Sequence, residues 1–215
     1  MFGEKELKTE TFSIDKFKMK KLKKSDLIEF EKDIKSIYEK GKIRAPIHLS
    51  GNNEDQLIKI FKKIKSQDWV FSTWRNHYHA LLKGIPASWL KKEILAGRSM
   101  GINSIKHKFY SSAIVGGIIP IALGVAKANK LKGKKGKVWV FIGDMTFETG
   151  IFHECYKYAR NYKLPLKFVI EDNNLSTNTP TDKIWKKKSK IPKDVLYYKY
   201  KRKYPHHGTG GWILF

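Results

Sequence analysis

The sequence predicts an α/β fold built on an open, mostly parallel sheet with helices on both faces. Two short apolar runs, KVWVFI (137–142) and LKFVIE (166–171), show no alternation of apolar and polar residues. This pattern is typical of strands that are buried on both faces of a sheet. The segment between them, ETGIFHECYKYARNYKL (148–164), has helical spacing, and such strand–helix–strand units are almost always right-handed parallel crossovers. With 215 residues and a hydrophobic fraction of 41%, the chain can bury a sizeable core.

Four helices are predicted before these strands, and three of them lie before residue 98. A basic N-terminal arm (1–25) leads into SDLIEFEKDIKSIYEKGKI (25–43), an amphipathic helix for which Ser25 is the expected cap. NNEDQLIKIFKKIKSQDWVF (52–71) predicts a second helix. PASWLKKEILAG (86–97) predicts a third, which begins at a proline and ends at a glycine.

The remaining segments complete a single predicted domain over residues 26–215. A loop rich in glycine and serine (97–113) precedes AIVGGIIPIALGVAKANK (113–130), whose small and apolar residues predict a tightly buried helix. After the two strands, DVLYYKYKRKY (194–204) predicts a further strand or helix. The sequence contains no internal repeat and no long Pro/Gly/Ser-rich linker, so no second domain is expected.

Cysteine content and hydropathy indicate the compartment. The single cysteine, Cys155, excludes an intramolecular disulfide and fits a reducing environment. No run approaches the roughly 18 apolar residues of a membrane span. The first residues lack the apolar core of a secretion signal. These features predict a cytoplasmic protein with no membrane partner.

The net charge of +24 leaves three interpretations open: a solvated lysine-rich surface, a basic face that meets an acidic partner subunit, and a nucleic-acid-binding module. The excess is mostly lysine, with only five arginines in the chain. Because arginine is the better bidentate ligand of phosphates and bases, we favour the solvated surface and do not expect a nucleic-acid partner.

Polar residues end the two predicted strands, with Asp144 after the first and Asn174 after the second. Ligands of open α/β sheets bind beyond the carboxyl ends of the strands. A carboxylate, an amide oxygen and a backbone carbonyl near Ser176 are the hard oxygen ligands that suit Mg²⁺. A helix beginning near Thr149–Gly150 would point its free N–H groups at the same place, which suits a diphosphate. Spacing alone also permits Asp144 as a helix cap and the asparagine pair as an ordinary turn.

The stretch GDMTFETGIFHECYKYARNYKLPLKFVIEDNN (143–174) resembles the thiamine diphosphate motif, a Gly-Asp followed by a spacer and an Asn-Asn pair. It is most similar to the form found in alpha subunits of 2-oxo acid dehydrogenases of the pyruvate, branched-chain and acetoin type. DWVFSTWRNHYHALLKGIP (68–86) and FYSSAIVGGIIPIALGVAKANK (109–130) resemble two further stretches of that family, in the family's order.

This resemblance implies the pyrophosphate-binding domain of the thiamine diphosphate-binding fold, with thiamine diphosphate and Mg²⁺ as cofactors. It implies that Mg²⁺ is bound by the side chains of Asp144 and Asn174 and by the backbone carbonyl of Ser176. His77 matches the family position that faces the reaction space, which implies a proton donor or a carboxylate contact. The implied cofactor-binding residues are Trp74, Arg75, Ala113, Ile114, Val115, Gly143, Asp144, Met145, Thr146 and Asn174.

Three departures from the family pattern stand out. Met145 replaces the usual glycine after the aspartate, and Trp74 replaces the commoner tyrosine before the arginine. The third is length, because the family's alpha subunits continue well past the Asn-Asn pair, through a long loop with another active-site histidine. In this sequence only a short segment follows the Asn-Asn pair, and it contains His206 and His207. An exposed turn explains these two histidines as well as a place in the active site does.

A short alpha-type chain implies a partner. The resemblance implies a beta-type subunit that supplies a pyrimidine-binding domain and an activating glutamate, in a heterotetramer, without which this chain is inactive. The implied reaction is decarboxylation of a 2-oxo acid and transfer of the acyl or aldehyde unit, with a lipoyl carrier as one acceptor. Two alternatives remain: a transketolase-like N-terminal half, and the basic nucleic-acid-binding module, for which affinity would depend steeply on salt.

Overall fold

The computed structural model describes residues 22–186, 188–211 and 213 of the chain. Within these residues the strands are β1 (Trp69–Ser72), β2 (Asn103–Ser104), β3 (Phe109–Ser111), β4 (Val138–Gly143), β5 (Leu166–Asp172), β6 (Leu175–Ser176), β7 (Thr179–Pro180) and β8 (Leu196–Lys199). The helices are α1 (Lys24–Glu39), α2 (Glu54–Phe61), α3 (His77–Leu82), α4 (Ala87–Leu95), α5 (Ile118–Leu131), α6 (Asp144–Phe147), α7 (Gly150–Asn161) and α8 (Thr181–Ile184).

Six strands form one sheet in the order β2-β3-β1-β4-β5-β8. Neighbouring strands run parallel except β2 and β3, which form an antiparallel pair at one edge. β6 and β7 form a separate antiparallel hairpin directly after β5. The predicted open, mostly parallel sheet is confirmed, and so is the parallel unit of β4, α7 and β5.

Helices cover both faces of this sheet, as predicted. In β4, Trp139 and Phe141 belong to a core completed by residues of α1 to α4, whereas Val138, Val140 and Ile142 belong to a second core with α5 and α7. Both faces of the strand are therefore buried in apolar surroundings. This arrangement explains why its sequence shows no polar alternation.

The second helix is shorter than predicted. α2 ends at Phe61, and Trp69–Ser72, most of which the helical interpretation had included, form the central strand β1. The carboxylate of Asp68 accepts hydrogen bonds from the backbone N–H groups of Lys65 and Lys137, at 3.0 and 2.8 Å. These bonds close a turn before β1 and tie its start to β4, and the aromatic and β-branched residues that follow suit a strand. Strands β2 and β3 likewise lie in the segment predicted as a loop.

The start of α1 also differs from the prediction. The helix begins at Lys24, so Ser25 lies in its first turn and is not the cap. The backbone N–H of Lys23 instead donates to the carboxylate of Asp26 at 2.8 Å. The predicted basic arm therefore overlaps the helix at its end, and its residues 1–21 lie outside the described part of the chain.

Helix α5 is buried on one side only, so the prediction of a tightly buried helix is wrong. Ile118, Ile119 and Ala122 are fully buried against the sheet, whereas Ile121 and Leu131 are exposed. In the ranges that the structure describes, no helix combines the length and the apolar character needed to cross a membrane.

The segment after β5 returns across the carboxyl end of the sheet. Residues 196–199 form strand β8 beside β5, which decides between the two predicted alternatives. Farther along, the backbone N–H of Gly208 donates to the carbonyl of Ile47 at 2.8 Å, and His48 and Gly208 form an isolated parallel bridge. Residues 204–208 are thereby held against the segment that precedes α2.

Candidate functional site

A polar cavity lies at the carboxyl ends of the central strands. Gly143 ends β4, Glu171 is next to the last residue of β5, and Tyr198 lies in β8, and these three residues are paired in register across the sheet. Side chains just beyond these positions therefore converge, as the predicted site requires.

Most of the residues implied by the family resemblance line this cavity. They are Trp74, Arg75, Val115, Gly143, Asp144, Met145, Thr146 and Ser176. The structure also brings in residues that the sequence reasoning missed, namely Asn53, Glu171, Asn173, Tyr200, Arg202 and His206. Tyr200 and Arg202 follow β8, so the rule that ligands bind beyond strand ends would have found them had that strand been assigned.

Asp144 is a buried carboxylate, and the groups around it only partly stabilise its charged form. Thr181, which has no exposed surface, donates its hydroxyl hydrogen to Asp144 Oδ2. Burial nevertheless raises the pKa of Asp144, and the negative charge of Asp172 adds to this effect. A cation beside the carboxylate would reverse the shift, which is the behaviour expected of a metal ligand.

The two asparagines at the end of β5 have different surroundings. Asn173 lines the polar cavity, and its Nδ2 donates to Tyr200 Oη at 3.2 Å. Asn174 does not line it, because its Nδ2 donates to Asp182 and its Oδ1 accepts from Lys188, at 3.0 and 3.1 Å. The structure therefore brings Asn173, rather than the predicted Asn174, into the cavity with Asp144.

Two guanidinium groups face the same cavity. Arg75 is buried and donates to the carbonyl oxygens of Leu49 and His206, and its burial lowers its pKa. Arg202 is half-buried and donates to the carbonyl of Thr177 at 2.7 Å. Burial lowers the pKa of Arg202 too, and the charge of Arg75 lowers it further. An anion between them would relieve this repulsion.

An aromatic cleft adjoins the polar cavity and shares Trp74, Val115, Thr177 and His206 with it. Its other lining residues are Pro46, His48, Met100, Ala113 and His207, and its volume is about 430 Å³. That volume lies in the range of small-molecule sites, roughly 300–1,000 Å³. Ile114, between two lining residues, is 70% exposed and lines neither cavity.

Imidazole rings dominate one wall of the aromatic cleft. The ring centres of His48 and His206 are 4.9 Å apart, and that of Trp74 lies about 6 Å from each. Burial, followed by the charge of Arg75, lowers the pKa of His48 to about 3. The same two causes lower the pKa of His206. Both rings are therefore neutral at neutral pH and can donate or accept hydrogen bonds.

His77 lies in the protein interior. Its side chain has no exposed surface, with Nδ1 3.1 Å from Glu31 Oε1 and Nε2 2.8 Å from Ser99 Oγ. It lines neither the polar cavity nor the aromatic cleft. A catalytic role for His77 stays a prediction, and the histidines that the structure places at the cleft are His48, His206 and His207.

The helix N-terminus that was predicted to face the site, that of α7, does not line the polar cavity. α7 begins at Gly150 after Thr149, as expected, but neither residue lines the polar cavity. The polar cavity is instead lined by residues 143–146, which end β4 and form most of the short helix α6. Within the described residues, no group of three or more His, Cys, Asp or Glu side chains is arranged to hold a metal. Of the two acidic residues that line the cavity, Glu171 is bonded to Tyr198 and His79, and Asp144 together with neutral oxygen atoms is a ligand set that fits Mg²⁺.

Comparison with known proteins matches this chain to one family. Residues 23–195 match the family model of the dehydrogenase E1 component. The alpha subunit of the pyruvate dehydrogenase E1 component from Porphyra purpurea is 34% identical over 161 residues, which are 67% of this chain and 47% of that protein. The corresponding subunit alpha-3, chloroplastic, of Arabidopsis thaliana is 34% identical over 180 residues, 74% of this chain and 42% of that protein.

A bacterial relative gives the same result. The pyruvate dehydrogenase E1 component subunit alpha of Rickettsia prowazekii (strain Madrid E) is 29% identical over 163 residues, 71% of this chain and 50% of that protein. The chain thus spans about half the length of the curated relatives it matches. The family predicted from the motifs is confirmed, and because the family model covers most of its length, the chain belongs to the dehydrogenase E1 component family.

Proposed function

We propose that this chain binds Mg²⁺ and the diphosphate of thiamine diphosphate in the polar cavity, as the alpha-type subunit of a 2-oxo acid dehydrogenase. One observation carries the proposal: a single cavity is lined by Asp144, Asn173, Arg75 and residues 143–146. Oxygen ligands suit Mg²⁺, while guanidinium and backbone N–H groups suit phosphate oxygens.

The charges of the cavity support a metal together with the diphosphate. The carboxylates of Asp144 and Glu171 are balanced by the guanidinium groups of Arg75 and Arg202. A diphosphate alone would leave several uncompensated negative charges in a buried site, which is costly. A divalent cation offsets most of that charge, so metal and diphosphate are expected to bind as a unit.

Asn173 is the amide ligand that the surroundings favour. The sequence motif predicts Asn174, whose amide is used by Asp182 and Lys188 on the outside of the hairpin. Asn173 shares the cavity with Asp144, and the backbone carbonyl of Ser176 is the third proposed ligand. The two asparagines offer a matched pair of variants for the test below.

The aromatic cleft is the proposed place of the cofactor rings and the substrate. When bound, thiamine diphosphate supplies the nucleophilic carbon and the electron sink for decarboxylation of a 2-oxo acid. Ala113 and Val115 give one wall a small, apolar surface. The neutral rings of His48 and His206 offer N–H donors to the substrate carboxylate and keep water out of that wall.

A beta-type partner completes the proposed enzyme. Exposed apolar side chains occur at and after the cavity-lining segment, with Ile114, Val115, Ile121 and Ile151 between 37% and 70% exposed. Such residues mark a surface that another protein covers. Among the described residues that line the aromatic cleft there is no carboxylate. The activating glutamate is therefore proposed to come from the partner's pyrimidine-binding domain.

The remaining features of the function are proposed on the same basis. The assembly would be a heterotetramer, the chain alone would be inactive, and the acyl or aldehyde unit would pass to an acceptor such as a lipoyl carrier. A cytoplasmic location stays a prediction from the sequence.

Titration calorimetry of the purified chain tests the cofactor proposal. Thiamine diphosphate is expected to bind in the presence of Mg²⁺ and to lose nearly all affinity in EDTA. Asp144→Ala should abolish the binding, Asn173→Ala should weaken it strongly, and Asn174→Ala should change it little. Equal affinity of the wild type and Asp144→Ala would refute the proposal. A larger loss in Asn174→Ala than in Asn173→Ala would return the ligand role to Asn174.

A further inference from the structure

Asn53 stands at the N-cap of α2, yet its side chain does not cap that helix. Asparagine at this position commonly accepts a hydrogen bond from the free N–H groups of the first turn, but no such bond forms here. The residue is 2% exposed and lines the polar cavity. Its side chain is therefore held by something other than its own helix.

A chain of hydrogen bonds fixes the orientation of the Asn53 amide. Tyr198 donates its hydroxyl hydrogen to Glu171 Oε1, so the tyrosine oxygen is left to accept, and Asn53 Nδ2 donates to it at 3.3 Å. His79 Nε2 lies 3.2 Å from the same glutamate oxygen and anchors it from the other side. Because Asn53 Nδ2 donates to Tyr198, the amide oxygen Oδ1 is the side-chain atom that takes no part in this chain of hydrogen bonds.

Asn53 Oδ1 is buried and accepts no hydrogen bond from any residue that the structure describes. A buried polar atom without a partner is costly, so a hydrogen-bond donor is expected at this point of the cavity. The carboxylates of Glu171 and Asp144 line the same cavity and are acceptors when ionised. The guanidinium groups of the cavity already donate elsewhere, that of Arg75 to the carbonyls of Leu49 and His206 and that of Arg202 to the carbonyl of Thr177. Diphosphate oxygens are acceptors too and cannot supply the missing hydrogen.

A hydrated cation is an occupant that brings new hydrogen-bond donors, its water ligands, into this cavity. Mg²⁺ gives up its water ligands reluctantly and keeps several of them in protein sites. We propose that Asn53 Oδ1 accepts a hydrogen bond from a water molecule on the Mg²⁺ ion, with Tyr198, Glu171 and His79 as positioning residues. This inference rests on the proposed function, since it requires the metal to bind beside Asp144.

The test uses the full chain with Mn²⁺ in place of Mg²⁺, because the paramagnetic ion reports on its own water ligands. Mn²⁺ affinity is measured by calorimetry at saturating thiamine diphosphate, and water-proton relaxation is recorded on the same complexes. Asn53→Leu is expected to weaken Mn²⁺ binding about 10–100-fold and to change the relaxation enhancement. Asn53→Asp, which keeps an oxygen in place, should retain wild-type affinity or exceed it. Tyr198→Phe should fall between the two, because the amide is then free to turn.

Asn129→Leu is the matched control, since it replaces a buried asparagine of α5 outside both cavities and should leave Mn²⁺ binding unchanged. Unchanged affinity and relaxation in Asn53→Leu would overturn the inference, and so would equal losses in Asn53→Leu and Asn53→Asp, because either result describes a purely structural residue. A wild type that binds no Mn²⁺ with thiamine diphosphate would instead refute the proposed function.

Discussion

Replacing His77 with leucine is expected to destabilise the chain strongly. The ring is fully buried, and its Nδ1 lies 3.1 Å from Glu31, whose side chain is 1% exposed. The glutamate would keep its hydrogen bond from the backbone N–H of Ser50, at 3.0 Å, and would lose the imidazole. Leaving a buried charge without its partner costs about 3–5 kcal/mol. For a chain of this size that corresponds to a fall in Tm of roughly 6–20 °C.

Thermal unfolding of three variants tests this reasoning. His77→Leu and Glu31→Leu should each lower Tm, whereas the double variant should be more stable than the sum of the two changes predicts, because neither side chain of the buried pair is left without the other. A His77→Leu variant with unchanged Tm would refute the structural account. If that variant also lost activity in the presence of the partner subunit, the result would support the catalytic role that the sequence motif predicts.

Three further variants test other parts of the structure. Asp144→Asn should stabilise the cofactor-free chain at neutral pH. The pKa of Asp144 is raised in the folded state, so ionisation of this carboxyl lowers stability as the pH rises above 3.8, the ordinary pKa of the group. The gain in Tm from the substitution should therefore shrink at lower pH. Burial lowers the pKa of Lys83 to about 8 from 10.5, so the unfolded chain binds more protons between these values and wild-type stability should rise with pH there. Urea unfolding at pH 8 and pH 10 should show that rise in the wild type and not in Lys83→Met. A Cβ at Gly136 would lie 2.6 Å from the carbonyl oxygen of Gln67, so Gly136→Ala should cost about 1–3 kcal/mol in urea unfolding, whereas Gly124→Ala, in open space on α5, should be neutral or stabilising.

The parts of the fold that could be predicted are those with a strong local pattern. β4, α7 and β5 were found because both strands are buried on both faces and the helix between them has one apolar side. β1 was misassigned because its Trp-Val-Phe run follows a helical pattern without a glycine or proline between them. Its conformation is set by pairing with β3 and β4, which are distant in sequence.

The site residues that could be predicted are those that lie within recognisable sequence motifs. Asp144, Arg75 and Trp74, each of which lies in a stretch with a recognisable pattern, line one cavity, and their roles stay predictions. His48 and Asn53 could not be found, since they enter the site from a segment whose position depends on the bridge to Gly208. The choice between Asn173 and Asn174 depends on their side-chain contacts around the hairpin that follows β5. The spacing of residues in a motif does not predict such contacts.

The bridge between His48 and Gly208 has a consequence for how the protein acquires its ligand. The cavity walls come from segments as far apart as residues 46–53 and 200–207, so they cannot be complete until both segments have been synthesised. Contacts of such long sequence separation form slowly, because loop closure must come first. The proposed cofactor is therefore expected to bind only after these distant segments have met, and its concentration in a refolding experiment should affect the yield of folded chain more than the rate of the first folding steps.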